Sequence, residues 1–138
     1  MADKVIKTDL SSNENGPRAD SVHSWVKAYF EGTRSGDPVK WASAFADNAL
    51  VDDPVGTPAK DTPEAIRKMG EEFLGAFKTV GLYESFVHVV GNEAVARWRG
   101  EGTTLDGQDL SFEGINVFEF DDAGKIRHLR GFFQPPGH

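Results

Sequence analysis

Three polar residues stand in otherwise apolar patterns of this sequence, and their side chains could act together on one proton. Tyr29 lies on an apolar helical stripe, Asp53 ends an apolar run, and Asn116 sits among phenylalanines. A carboxylate can remove a proton next to a carbonyl group, while a phenol and an amide donate hydrogen bonds to the oxygen that becomes negative. The combination predicts proton abstraction next to a carbonyl.

Asp53 closes the segment "NALVDDP" (48–54), which alternates as a strand does. One face of that strand carries Ala49, Val51 and Asp53, whereas the other carries Leu50 and Asp52. Pro54 favours an extended backbone at Asp53, because the helical region clashes with the proline ring. We therefore expect Asp53 to point inward and Asp52 to meet water. The alternative is that Asp53 only starts the turn before "PVG".

Asn116 lies in "SFEGINVFEF" (111–120), where an asparagine is unusual for a strand interior. Its face of the strand carries Phe112, Gly114, Asn116, Phe118 and Phe120. A buried amide must be hydrogen-bonded, so Asn116 either meets neighbouring backbone or donates into a pocket. Gly114 lacks a side chain and could leave room for a ligand. The opposite face carries Ile115 and Val117, which suggests that a second subunit covers it.

Tyr29 belongs to the helical stripe of Val22, Trp25, Val26, Tyr29 and Thr33. Its ring is therefore expected to point inward, where a buried phenol needs a partner for its hydroxyl. The ordinary interpretation is a core tyrosine bonded to backbone. The functional interpretation is a donor aimed at a ligand.

Helices precede most of the strands in the predicted element order. One helix begins near Asp20, capped by Asp20 or Ser21, and ends at "SGDP" (35–38); a second runs to near Asp47. A third covers 60–77, with Thr62 as its cap and Pro63 in its first position. After the strand at 48–54, strands at 82–90, 93–105, 109–120 and 125–133 are separated by the turn signals "GN", "DG" and "DDAG". This order predicts an α+β fold, a cone of three N-terminal helices on a strongly curved, mixed but mostly antiparallel sheet around an apolar pocket.

The totals narrow the function further. Because the chain has 138 residues, we predict one domain at 19–134 between tails at 1–18 and 135–138. Because its net charge is −7, we predict that neither nucleic acid nor an anionic membrane is a partner. The absence of cysteine excludes disulfides and thiolate metal sites. No metal-ligand spacing involves His23, His88, His128 or His138. No apolar run approaches the roughly 20 residues of a membrane span, and the N-terminus lacks a signal-peptide core, so a cytoplasmic location is expected.

At these residues the sequence resembles the bacterial Δ5-3-ketosteroid isomerases of the nuclear-transport-factor-2-like (NTF2-like) superfamily, from about Val22 to Phe133. "GDPVKWASAFADNALVDDPVG" is similar to that family's "GD…(F/Y)ADDATVEDP(F/V)G", and "INVFEFDDAGKI" is similar to "IDxFRFxxxGKI". Tyr29 precedes Asp53 by 24 residues, as the catalytic tyrosine precedes the catalytic aspartate in that family.

The resemblance implies a role for each residue. Asp53 would shuttle the proton of a 3-oxo-Δ5-steroid, and Tyr29 and Asn116 would hold the dienolate oxygen. The apolar wall would include Trp98, Phe112, Phe118 and Phe133. No cofactor is implied, and the family habit is a homodimer.

Two departures from the family pattern accompany the resemblance. The family has a protonated aspartic acid where this chain has Asn116, which is neutral at every working pH. The chain also lacks a tyrosine in the Met69–Gly70 region, which in some relatives can supply a phenolic partner for the catalytic tyrosine.

Two other functions suit the same pattern. One is a SnoaL-like polyketide cyclase, which would act on a polycyclic ester through an acidic base. The other is a non-catalytic protein that binds a small molecule. Asn116 favours these alternatives, whereas the spacing of Tyr29 and Asp53 favours the isomerase.

Overall fold

The computed structural model describes residues 18–135 of the chain. The helices of this part are α1 (Ala19–Arg34), α2 (Pro38–Ala42) and α3 (Pro63–Gly75). Its strands are β1 (Phe45–Asp52), β2 (Phe77–Val90), β3 (Glu93–Thr104), β4 (Asp109–Phe120) and β5 (Ile126–Phe132). The predicted tails lie outside the described residues, apart from Arg18 and Pro135.

Two of the three helices begin as their sequences predict. The Thr62 side chain accepts a hydrogen bond from the Ala65 N–H at 3.1 Å, and Pro63 occupies the first turn of α3. Asp37 caps α2 in the same way, at 2.9 Å from the Val39 N–H. The predicted cap of α1 was wrong, because α1 already begins at Ala19 and its N-cap, Arg18, makes no side-chain capping bond.

The second helix is shorter than predicted, since it ends at Ala42 instead of near Asp47. The Ser43 N–H closes the helix on Val39 O at 3.0 Å. The Ile126 N–H then donates to Ala44 O at 2.9 Å, and Phe45 pairs with Ile126 in the sheet. Pairing with β5 therefore overrides the helical pattern around Phe45, and β1 begins there.

One five-stranded sheet carries the described strands in the order β1-β5-β4-β3-β2. β1 runs parallel to β5, and the other neighbours are antiparallel. The three predicted hairpin turns form, each with a glycine at positive φ: Gly91, Gly107 and Gly124. Register shifts within β2 and near the end of β4 interrupt the ladders, and such irregularities bend strands.

The core lies between α1 and the inner face of the sheet. From α1, Val22, Val26 and Phe30 are fully buried, and they meet buried residues of the central strands such as Phe118 and Leu129. β1 alternates as predicted, because Val51 is buried while Leu50 is 37% exposed. The predicted α+β class and curved mixed sheet are confirmed. Within residues 18–135, no helix has the length and apolar character needed to cross a membrane.

Candidate active site

A mostly apolar cavity of about 640 Å³ opens between the helices and the sheet. Its size lies within the range of pockets that bury a small organic ligand. Its wall includes the aromatic residues Trp41, Phe73, Phe77, Trp98, Phe112 and Phe133. Tyr29, Asp53 and Asn116 all reach this cavity, although they come from α1, the end of β1 and β4.

Tyr29 is held by aromatic packing on the inner face of α1. Its ring meets Phe118 edge-on at a centroid distance of 5.2 Å and Phe45 at 6.2 Å, and the residue is 3% exposed. Burial, and then the nearby charge of Asp53, raise the pKa of the Tyr29 hydroxyl well above its usual value, while Trp41 and Asn116 oppose the rise as weak donors. Tyr29 therefore stays a neutral donor at any ordinary pH.

Asp53 follows β1 directly, and the next turn is tied to β5. The Val55 N–H donates to Gly131 O at 2.7 Å, and the Asp53–Pro54 peptide bond is cis. The Oδ1 atom of Asp53 is enclosed and has no hydrogen-bond partner, although the residue as a whole is only half-buried. Burial raises the pKa of the Asp53 carboxyl to about 7, against a lowering effect from Lys60. A carboxyl with this pKa can both accept and return a proton near neutral pH.

Gly131 provides the space in which Asp53 lies. A Cβ atom on Gly131 would overlap Asp53 Oδ1 and would lie 3.3 Å from Asn116 Oδ1. The β4–β5 register pairs Asn116 with Gly131. The Asp53 carboxyl and the Asn116 carbonyl oxygen therefore both lie close to Gly131 of β5.

Asn116 is 1% exposed, and its Oδ1 accepts a hydrogen bond from Trp98 Nε1 at 3.0 Å. Its amide is thus satisfied on the oxygen side by a side chain rather than by the backbone. The same residue lines the cavity. Because the oxygen is engaged with Trp98, the NH₂ group is left to donate.

Asp52 has a different environment from its neighbour. Its Oδ2 lies 3.1 Å from His128 Nε2, and Leu50 and Asp52 share the outer face of β1. The predicted alternation therefore separates two adjacent carboxylates, one toward the cavity and one toward solvent.

The buried carboxyl of Asp53 is expected to make stability depend on pH. Its pKa is raised on folding, so the unfolded chain releases this proton first, and stability is lost as pH rises from about 4 through about 7. We expect Asp53→Asn to stabilise the protein by about 1–4 kcal/mol at pH 8. The rise of the Asp53 pKa to about 7 sets the upper limit of this gain, and partial access to solvent reduces it. The gain should vanish at pH 3.5, measured by urea unfolding at both pH values.

Asp52→Asn is the matched control for that experiment, because it removes a neighbouring charge from the outer face. It should not produce the same stabilisation at pH 8. An Asp53→Asn variant that is less stable than the wild type at pH 8 would contradict the inference that burial of the ionised Asp53 carboxylate destabilises the folded protein.

The residues predicted for the apolar wall divide into two groups. Trp98, Phe112 and Phe133 line the cavity. Phe118 instead lies in the core with 0% exposure, where it supports the Tyr29 ring. Gly114 leaves room for a side chain rather than for a ligand, because a Cβ there would lie 2.5 Å from Trp98 Cζ2 and 2.8 Å from Phe133 Cβ.

Trp41 is the main residue of the site that sequence reasoning missed. Its indole lowers the pKa of the Tyr29 hydroxyl, against the effect of burial. Its ring fills the space beside Gly70, because a Cβ atom there would lie only 2.5 Å from Trp41 Cε3. A signal was present, since a glycine inside a helix often marks a close approach. Trp41 thus packs against the Met69–Gly70 region, which in some relatives can supply a further tyrosine. Met69, Phe73 and Leu82 also line the cavity without having been predicted.

Among the titratable side chains of residues 18–135, no group of three is arranged to hold a metal ion. The polar part of the cavity instead offers one carboxyl, one phenol and one amide. This donor and acceptor set suits proton transfer with stabilisation of an oxyanion.

The sequence matches a known family over most of the part of the chain that contains this site. Residues 26–129 fit the model of the SnoaL-like domain. The chain belongs to the SnoaL-like domain family. A "Steroid Delta-isomerase" from Nocardioides simplex is 30% identical to this SnoaL-like protein over 118 residues, which are 83% of this chain and 90% of that relative.

Two solved structures share the fold of this SnoaL-like protein. SalBIII, an epoxide hydrolase/cyclase-like enzyme with a role in pyran ring formation in polyether salinomycin, has a TM-score of 0.77 at 21% identity, covering 85% of this chain and 93% of its own. An NTF2-like protein of unknown function from Exiguobacterium sp. 255-15 has a TM-score of 0.67 at 16% identity, covering 80% and 98%. These likenesses show the fold, and with the SnoaL-like match and the isomerase relative they confirm the predicted superfamily.

Proposed function

We propose that this protein is a steroid Δ-isomerase that moves a C5–C6 double bond into conjugation with a 3-ketone. The observation that carries the proposal is the meeting of Asp53, whose pKa is raised to about 7, with two neutral donors in one apolar cavity. The 30% identical relative named Steroid Delta-isomerase supports the substrate class. The apolar wall suits the fused rings of a steroid.

The proposed mechanism transfers one proton within the substrate. The Asp53 carboxylate removes a proton from the carbon between the ketone and the double bond. The electrons of that C–H bond form a dienolate, whose oxygen accepts hydrogen bonds from the Tyr29 hydroxyl and the Asn116 amide. The protonated Asp53 then returns the proton two carbons further along, which gives the conjugated enone. The carboxylate is regenerated, so the cycle balances without a co-reactant.

The direct test mixes the purified protein with a Δ5-3-ketosteroid and follows the ultraviolet absorbance of the conjugated enone. We expect an absorbance rise well above the uncatalysed rate. The absence of any rise, with the steroid shown to bind by equilibrium dialysis, would refute the isomerase proposal.

The pH dependence of the rate is expected to follow Asp53. Since only the carboxylate is a base, kcat/KM should rise with pH and level off above an apparent pKa of about 7. Asn116 does not titrate, and the pKa of Tyr29 is raised by burial, so the plateau should extend into the alkaline range. A rate profile that is flat from about pH 5 to 9 would argue against Asp53 as the base.

Asn116→Asp tests the donor role of the Asn116 amide through the pH dependence of kcat/KM. The variant gains a titratable carboxyl that donates only when protonated, so a new alkaline limb should appear in kcat/KM. A variant that gains rate while leaving the profile unchanged would argue against the donor role of Asn116.

A second candidate is a cyclase of the SnoaL-like type, which would use Asp53 as its acid–base group on a polycyclic ester. Asn116 is the residue that favours it, because the isomerases have an aspartic acid there. Steroid binding without enone formation, together with loss of cyclisation in Asp53→Asn, would support this candidate. Unchanged affinity for a bound ligand in Asp53→Asn, with no reaction in either protein, would indicate a binding protein.

The homodimer and the cytoplasmic location stay predictions of the sequence. The outer face of the sheet supports the homodimer, since Phe86, Ile115 and Phe132 are 57%, 43% and 41% exposed. Ile115 pairs with both Phe132 and Arg97, and Arg97 pairs with Phe86, so these side chains lie on adjacent strands. We expect the wild type to sediment as a dimer at micromolar concentration and Ile115→Lys as a monomer. A monomeric wild type would remove the homodimer.

A further inference from the structure

Trp98 makes a directional contact as well as lining the cavity. Its indole N–H donates to Asn116 Oδ1 at 3.0 Å, and the two residues are 2% and 1% exposed. An indole N–H can only donate, so the Asn116 atom that it meets must be the carbonyl oxygen and not the NH₂ group. The NH₂ group is therefore turned away from Trp98.

This orientation decides what Asn116 can do for an oxyanion. A primary amide can turn over, which would exchange its donor and acceptor ends. With the NH₂ group toward the cavity, Asn116 stabilises a negative oxygen; with Oδ1 there, it repels one.

We propose, on the basis of the isomerase function above, that Trp98 is a positioning residue that locks the Asn116 amide as a donor to the dienolate oxygen. Trp98 acts through Asn116 and does not touch the reacting atoms in this role. One side chain thus contributes to the aromatic wall of the cavity and fixes the orientation of the donor.

Gly114 makes this contact possible. The β3–β4 register pairs Trp98 with Gly114 and Ala96 with Asn116, so Asn116 is the diagonal neighbour of Trp98 on the inner face. Because Gly114 has no Cβ, the indole lies across it and reaches Asn116. Phe112 and Phe133 hold the ring edge-on, at centroid distances of 5.7 and 5.5 Å.

The first test uses nuclear magnetic resonance of the ligand-free protein and therefore needs no turnover. In Asn116→Ala, the Trp98 indole proton should lose the chemical shift of a hydrogen-bonded proton, while the chemical shift of the Trp25 indole proton should not change. In Trp98→Phe, the Asn116 side-chain amide resonances should move. If neither Trp98 nor Asn116 responds to loss of the other, the lock is overturned.

The second test asks whether the lock supports an oxyanion. The probe is 2-naphthol, whose ionised form is distinguished by its absorbance and whose oxygen resembles a dienolate oxygen. Trp98→Phe should lower the ratio of ionised to neutral bound 2-naphthol about 10-fold, as expected for one misdirected buried hydrogen bond. Trp25→Phe is the matched control, because Trp25 packs against Phe120 and does not line the cavity.

The turnover assay then separates positioning from packing. In the wild-type background, Trp98→Phe should lower kcat about 10-fold and change KM by less than about 3-fold. In the Asn116→Ala background, the same substitution should have almost no further effect on kcat or on 2-naphthol ionisation. Equal losses in the two backgrounds would overturn the proposal, since Trp98 would then act only as wall.

These tests distinguish failure of the lock from failure of the isomerase proposal. A protein that forms no enone but shows coupling of Trp98 and Asn116 in the resonance and 2-naphthol measurements keeps the positioning role and loses the steroid reaction. A protein that isomerises the steroid but shows additive losses keeps the reaction and loses the positioning role.

Discussion

Asp53→Asn is expected to slow formation of the conjugated enone by roughly 10²–10⁴-fold, the range for loss of a positioned general base. The amide has nearly the shape of the carboxyl and fits the space above Gly131 without adding charge. It cannot accept the proton, so the first step fails while the cavity survives. The measurement is the initial rate of absorbance increase with a Δ5-3-ketosteroid at pH 8, where Asp53 is ionised in the wild type.

The neighbouring aspartate gives this experiment its control. Asp52→Asn makes the same chemical change one residue earlier, on the face where Asp52 meets His128. We expect its rate to stay within about 3-fold of the wild type, because Asp52 does not line the cavity and a partly exposed charge on the outer face contributes little. Equal losses in the two variants would mean that the reaction responds to the turn and not to the base. Undiminished activity in Asp53→Asn would remove Asp53 from the mechanism.

Much of the fold follows from local sequence patterns. Thr62 and Pro63 fix the start of α3, and glycines at positive φ form the three hairpin turns. These signals depend on a few adjacent residues, so they survive any tertiary arrangement. The boundary between α2 and β1 does not follow from adjacent residues, because it depends on the pairing of Phe45 with Ile126, which lies 81 positions later in the sequence.

The three polar residues of the site were predictable for a related reason. Each interrupts a periodic apolar face, and periodicity shows which way a side chain points. The structure brings Tyr29, Asp53 and Asn116 to one cavity. Their roles in a reaction stay a prediction, which the activity measurements on Asp53→Asn and Tyr29→Phe test.

The supporting residues could not be read from one segment. Contact between Trp98 and Asn116 requires the register of β3 against β4, and the space for Asp53 above Gly131 requires that of β1 against β5. Phe118 has the periodicity of a cavity residue, yet it lies behind Tyr29, because the inner face of the sheet is covered partly by α1 and partly by the cavity. Periodicity gives the face of a strand but not what covers that face.

Tyr29→Phe is expected to lower kcat by roughly 10²–10³-fold, the range for loss of one donor from an oxyanion hole. Tyr29 is neutral and buried, so its O–H bond is available to the dienolate oxygen at every pH of the assay. The phenylalanine ring keeps the edge-on packing against Phe118, so folding and steroid binding should survive. The loss should appear in kcat rather than KM, because the oxygen carries more negative charge in the dienolate than in the ketone.

Tyr83→Phe is the matched control, since Tyr83 is 49% exposed and lies beneath Arg34 at the surface. Its kcat should equal that of the wild type. A Tyr29→Phe variant with unchanged kcat and a raised KM would show that the hydroxyl only binds the ketone. In that case Asn116 alone would carry the oxyanion, and Trp98, which orients Asn116, would become the more sensitive position for substitution.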